Sequence, residues 1–157
     1  MDFTGRALLL VAAVLLTATD ARAQGTACQN IGGHIDGQII GPSALCSGAV
    51  TEVGTFTGTG GGTFVACIVN VRTNGDGTIM FDLSHVYQGD AGDTFTTTDR
   101  VVAAPVDPPR YRINNRVDVT GGTGALADAF GFFRTHGTVN LQSGVVSVDY
   151  RGRICTP

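Results

Sequence analysis

Three stretches of the chain alternate apolar and polar side chains with a period of two, and only an extended backbone converts that pattern into one dry and one wet face. They are Ile79, Phe81, Leu83, His85 and Tyr87 against Met80, Asp82 and Ser84; Tyr111, Ile113, Asn115, Val117 and Val119 against Arg112, Asn114, Arg116 and Asp118; and Val146, Val148, Tyr150, Gly152 and Ile154 against Ser147, Asp149, Arg151 and Arg153. Asn74-Gly75-Asp76-Gly77, Gly89-Asp90-Ala91-Gly92 and Gln142-Ser143-Gly144 punctuate the sequence. Each is a short loop that can supply positive φ and send the chain straight back on itself. The spacing predicts strands near 31–40, 49–57, 63–72, 78–88, 93–103, 110–119, 130–141 and 145–154, with Pro105, Pro108 and Pro109 marking a loop. No stretch beyond the leader carries a helical period.

Consecutive hairpins form a meander, and a meander of eight strands leaves two unpaired edges unless it closes. The expected fold is therefore all-β: an eight-stranded antiparallel up-and-down barrel of the calycin-like kind. The apolar run Ala7 to Leu16 behind Arg6, followed by Ala21-Arg22-Ala23, reads as a signal peptide. That places a leader at 1–23, a single barrel domain at 24–157 and the product in a secreted or periplasmic location, with no membrane span expected. Four cysteines in an exported chain favour two disulfides, and Cys28, Cys46, Cys67 and Cys155 allow three pairings. Closure sets the start of the first strand beside the finish of the last, which selects Cys28 with Cys155 and leaves Cys46 with Cys67.

The formal charge is −3 and the chain contains no lysine, so the basic excess of a nucleic-acid binder is missing. Arginines do gather late, at Arg110, Arg112, Arg116, Arg134, Arg151 and Arg153, interleaved with Asp118, Asp128 and Asp149. This reads as a solvated sheet face of mixed charge, or as a weak anion-binding surface. The stretch VDVTGGTGALADAFG at 117–131 imitates a phosphate-cradling turn. Yet Phe132 to Val139 behind it is strand-like, and a P-loop needs a lysine. The glycines are expected to make a tight crossing between strands. Ser47 and Ser143 lack a nucleophile-elbow context, and His34 with Asp36 does not amount to a zinc signature. No metal and no cofactor are expected.

By alternation the lumen is lined by Phe81, Leu83, His85, Tyr87, Ile113, Asn115, Val117, Phe133, Val139, Leu141, Val146, Val148 and Tyr150. Aromatic walls with a few polar groups suit a ligand, so Phe81, His85, Tyr87, Asn115, Phe133 and Tyr150 are the candidate binding residues. The plainer reading has His85 bonded to Asn115 or to a buried water. Glu52 is the only glutamate; Val50 and Phe56 on its face allow it inward, whereas Val53 argues the reverse. Glu52, His85 and Tyr87 are the candidates for catalysis.

Gly121-Gly122-Thr123-Gly124, then Leu126 and Ala129-Phe130-Gly131, resembles the GGTGxFxxAxG stretch of plant dirigent proteins and, with more variation, of allene oxide cyclases. Tyr150-Arg151-Gly152-Arg153-Ile154-Cys155 is similar to the closing strand of small exported bacterial relatives of that barrel. The resemblance implies an eight-stranded barrel that holds a small hydrophobic molecule, in a dimer or trimer. It also implies a disulfide from the N-terminal region to the chain end and a glutamate of importance on an early strand. Phe130 departs from it, standing where dirigent proteins usually place an arginine. Three functions follow: a carrier of a small apolar ligand; a cofactor-free cyclase or dirigent-type enzyme acting on an oxylipin or a phenol; and a structural or surface-interaction protein with a solid core.

Overall fold

The computed structural model describes residues 26–157, so the leader read over 1–23 lies outside the described residues. Eight strands follow one another: β1 Ala27–Pro42, β2 Val50–Gly58, β3 Gly62–Thr73, β4 Ile79–Gly89, β5 Thr94–Asp107, β6 Arg110–Gly122, β7 Phe130–Asn140 and β8 Val145–Thr156. Each pairs antiparallel with its sequence neighbours, and β1 pairs with β8 to close the barrel. That seam runs in register from Ala27 opposite Thr156 to Gln38 opposite Val145. Closure leaves no edge strand among the described residues.

Cys28 stands directly opposite Cys155 across the seam and is bonded to it. The second disulfide joins Cys46, at the end of a 3-10 turn over Ala44–Cys46, to Cys67 on β3. Among the described residues no helix is long and apolar enough to cross a membrane.

Period-two alternation places Phe81, Leu83, His85 and Tyr87 inside, together with Ile113, Asn115 and Val117, and Val146, Val148 and Tyr150. Two readings are corrected. Leu141 is 40% exposed, because β7 ends at Asn140 and the next residue turns out into the hairpin loop. Pro105 lies within β5, opposite Tyr111 and beside a bulge that precedes Asp107, so the connection shrinks to Pro108 and Pro109. A bulge is where a strand tolerates a residue with no N–H to donate.

The GGTG stretch is a crossing from β6 to β7, and a single 3-10 turn, Gly124–Leu126, follows it. Gly124 has φ +61°. A Cβ there would collide with the Asp93 carboxylate, whose Oδ1 accepts a hydrogen bond from the Ala125 N–H at 3.2 Å. Glycine is required by backbone conformation and by the close approach of the Asp93 carboxylate. Gly124→Ala is therefore expected to cost about 1–2 kcal/mol. A urea midpoint identical to that of the unaltered protein would contradict this account.

Candidate functional site

The barrel interior is not uniformly apolar. Glu52 on β2, His85 on β4, Thr97 and Asp99 on β5, Asn115 on β6 and Thr135 on β7 all turn inward. The phase of each strand forces this: in β5, Asp99 falls in step with buried Phe95, Val101 and Ala103. Glu52 is buried and lines the interior cavity, which settles its direction in favour of the face shared with Phe56. Gly37, across the β1–β2 ladder, makes the room: a Cβ there would collide with Glu52 Oε1.

Five of these groups form one chain of polar contacts. Thr135 Oγ1 donates to Asn115 Oδ1, and Asn115 Nδ2 donates to Asp99 Oδ2. Asp99 Oδ1 lies 3.5 Å from His85 Nδ1, and Thr97 Oγ1 is 3.0 Å from the same nitrogen. Among the described residues Asp99 Oδ1 is buried without a hydrogen-bond partner.

Burial governs the protonation of all three titratable groups. It pushes the Glu52 carboxyl up to about 7. It pushes Asp99 up to about 7 as well, helped by the charge of Glu52 and opposed by the Asn115 hydrogen bond. It holds the His85 imidazole down to about 4. A neutral imidazole cannot form an ion pair, so the approach of His85 to Asp99 is a contact between a ring nitrogen and a carboxyl that retains its proton up to near neutrality. A proton on Asp99 Oδ1 would satisfy the orphaned oxygen by donating to Nδ1. Tyr87 stacks on His85 with ring centroids 5.2 Å apart, and its hydroxyl is kept protonated by burial and then by the charges of Asp99 and Glu52.

Glu52, His85, Tyr87, Asp99, Asn115 and Thr135 line one cavity of about 50 Å³, walled by Phe81, Ile68, Phe64 and other apolar side chains. Of the residues singled out from sequence, Phe81, His85, Tyr87, Asn115 and Glu52 are brought together here. Phe133 and Tyr150 are not; they line a second void of about 30 Å³ that shares Tyr87 and Ile35 with the first. Beyond it, at the barrel end that holds both tails, a vestibule of about 630 Å³ opens over Ile31, Phe56, Phe95, Leu126 and Ile154. The three voids lie in series, and the Tyr87–Phe95 stack, with centroids 4.5 Å apart, stands between the inner cavity and the mouth.

Asp99, Thr97 and Thr135 escaped the sequence reading. The signal was present in the alternation Phe95, Thr97, Asp99, Val101, Ala103, but a strand so rich in threonine on both faces hides its phase. His85 takes Thr97 and Asp99 as its neighbours in place of the expected Asn115.

His34 and Asp36 sit on the outer face, where His34 Nδ1 is 2.7 Å from Asp149 Oδ1 and Nε2 is 3.0 Å from Ser147 Oγ. That order imitates a hydrolytic relay. However, β8 is laddered to β1 on one side and β7 on the other, which leaves no backbone N–H pair free to hold an oxyanion. Neither the protein-family models nor the curated proteins compared with the chain match it.

Proposed function

We propose that the protein is an exported barrel that takes up a small, mainly apolar molecule and fixes it by an oxygen atom inside the lumen. The observation that carries this reading is the convergence of two carboxyls and a neutral imidazole, none of them ion-paired among the described residues, on one interior cavity. Burying such groups without compensation costs stability, and a core selected only for packing replaces them with apolar side chains. A protonated carboxyl is a hydrogen-bond donor, so Glu52 suits a ligand that presents a carbonyl, ether or epoxide oxygen, while Asp99, its proton shared with His85, gives the cavity a polar wall. The resemblance to the allene oxide cyclase and dirigent barrels supports the same reading, as do the two disulfides, which suit an oxidising compartment.

Size limits the ligand. A cavity of about 50 Å³ has room for a polar end group and no more, whereas small-molecule sites run to roughly 300–1,000 Å³. The body of the ligand therefore extends toward the vestibule, and entry turns Tyr87 out of its stack on Phe95. Native mass spectrometry of protein purified from its own source tests the proposal. A retained small molecule, lost in Glu52→Ala together with Asp99→Ala, which remove the donors, is the expected result. Bare polypeptide that also fails to bind an apolar fluorescent probe would overturn it.

A second reading, cofactor-free ring closure, is favoured by one observation: both carboxyls are poised near neutrality, where an acid can give up and recover a proton. Turnover of an apolar epoxide, abolished by Glu52→Gln with the fold intact, would distinguish an enzyme from a carrier.

A further inference from the structure

Four arginines and two phenylalanines share the outer face of β6, β7 and β8 near the vestibule end. Arg116 stands directly opposite Arg134, and Arg134 opposite Arg151, so three guanidinium groups form a row across three adjacent strands. Like charges facing one another across a ladder destabilise a sheet. Arg153 continues the patch, one step closer to the tails and opposite Phe132.

The acids on this face are already engaged. Asp118 holds Arg116 at 2.7 Å and Asp149 lies 2.7 Å from His34. Among the described residues Arg134, Arg151 and Arg153 have no ion-pair partner. Phe130 and Phe132 are 46% and 38% exposed, and the Arg116 guanidinium lies over the Phe132 ring at 3.7 Å from its centroid. Phe130 is paired with Cys155, whose disulfide partner Cys28 lines the vestibule.

We propose that this face docks the barrel on an anionic lipid surface, with Phe130 and Phe132 entering the headgroup boundary and the arginines meeting the phosphates. Free guanidinium groups around exposed aromatic rings are the chemistry of a membrane interface, where phenylalanine rings enter the acyl boundary and arginines lay their apolar stems beside them with the cation at the headgroups. A soluble polyanion would use the arginines and leave the two rings in water. The position of the face adds a reason that rests on the proposed lumen: an apolar ligand leaving a bilayer would find the vestibule next to the docked surface.

Flotation with vesicles tests the docking. Protein recovered from the exported fraction, with its N-terminus verified by mass, is mixed with phosphatidylcholine vesicles with or without phosphatidylglycerol. Binding to the anionic vesicles alone is expected, weakening as salt is raised. Arg134→Ser with Arg151→Ser is expected to reduce it roughly tenfold or more, and Phe130→Ser with Phe132→Ser to reduce it independently of salt. These positions are exposed, and an unchanged thermal melt confirms that each variant is folded. Equal binding to neutral and anionic vesicles, or full binding by the arginine variant, would overturn the proposal. So would capture by soluble polyphosphate with no vesicle binding, which would assign the arginines to a polyanion. Docking by protein that carries no retained ligand and binds no apolar probe would uphold this inference and remove the lumen proposal, so the two fail separately.

Discussion

Raising the pH from about 4.5 to 7.5 is expected to destabilise the protein by about 3–4 kcal/mol, the reverse of the usual behaviour of a chain rich in aspartate. The sign follows from three buried groups. Glu52 and Asp99 move up to about 7 in the folded state from ordinary values of 4.5 and 3.8, so across that interval the folded protein holds two protons that the unfolded chain has released. Stability must fall as pH rises through it. His85 opposes them: held down to about 4 from 6.5, it is neutral when folded and protonated when unfolded, which makes stability rise with pH over its own interval. One proton net remains on the folded side, giving a slope of about −1.4 kcal/mol per pH unit. His34, raised chiefly by its hydrogen bond to Asp149, acts in the same direction as the carboxyls. Thermal melting across this range should show a drop of roughly 10 °C. In Glu52→Gln with Asp99→Asn only the His85 contribution survives among the buried groups, and the slope between about pH 4.5 and 6.5 should flatten or change sign. A natural protein that gains stability steadily from pH 4.5 to 7.5 would mean that the carboxyls are solvated and the cavity is not the site described.

The barrel was legible because its strands obey a period of two and its turns are marked by glycine. In β4, β6 and β8 one face is apolar save for His85 and Asn115, so the strands and their inward set follow from the alternation. The pairing of Cys28 with Cys155 followed from closure, since any up-and-down barrel with an even number of strands sets its two tails side by side. What the sequence concealed is the polar half of the site. Asp99 is an aspartate among threonines, a composition that reads as a solvated strand, and only its phase relative to Phe95 and Val101 marks it as inward. Glu52 was ambiguous for a related reason: its neighbours Thr51 and Val53 are covered from outside as well, so β2 lacks a clean wet face. Nor could alternation reveal that Tyr87 divides the lumen, placing Phe133 and Tyr150 in a different void from His85, because that depends on ring orientation and not on which face a residue occupies.

Removing the Cys28–Cys155 disulfide by Cys28→Ala with Cys155→Ala is expected to cost about 5 kcal/mol, against about 3 for Cys46→Ala with Cys67→Ala. The difference is one of loop length. The first bond spans 127 residues and the second 21, and the entropy that a crosslink removes from the unfolded chain grows with the logarithm of the loop. Position sharpens the contrast. The seam between β1 and β8 joins the two strands furthest apart in sequence, so its ladder returns the most chain entropy when it opens. The pairing of β1 with β2 is local and can survive that event. Without the bond the barrel should therefore open first at this seam, exposing two edges ready to pair with another copy. Hydrogen exchange read residue by residue gives the check. Amides of β1 and β8 near the tails should lose protection ahead of those in β4 and β5, and the variant should associate at high concentration. Equal losses from the two disulfide deletions, or protection lost evenly around the barrel, would show that closure is held by side-chain packing in the lumen and that the covalent tie adds little to it.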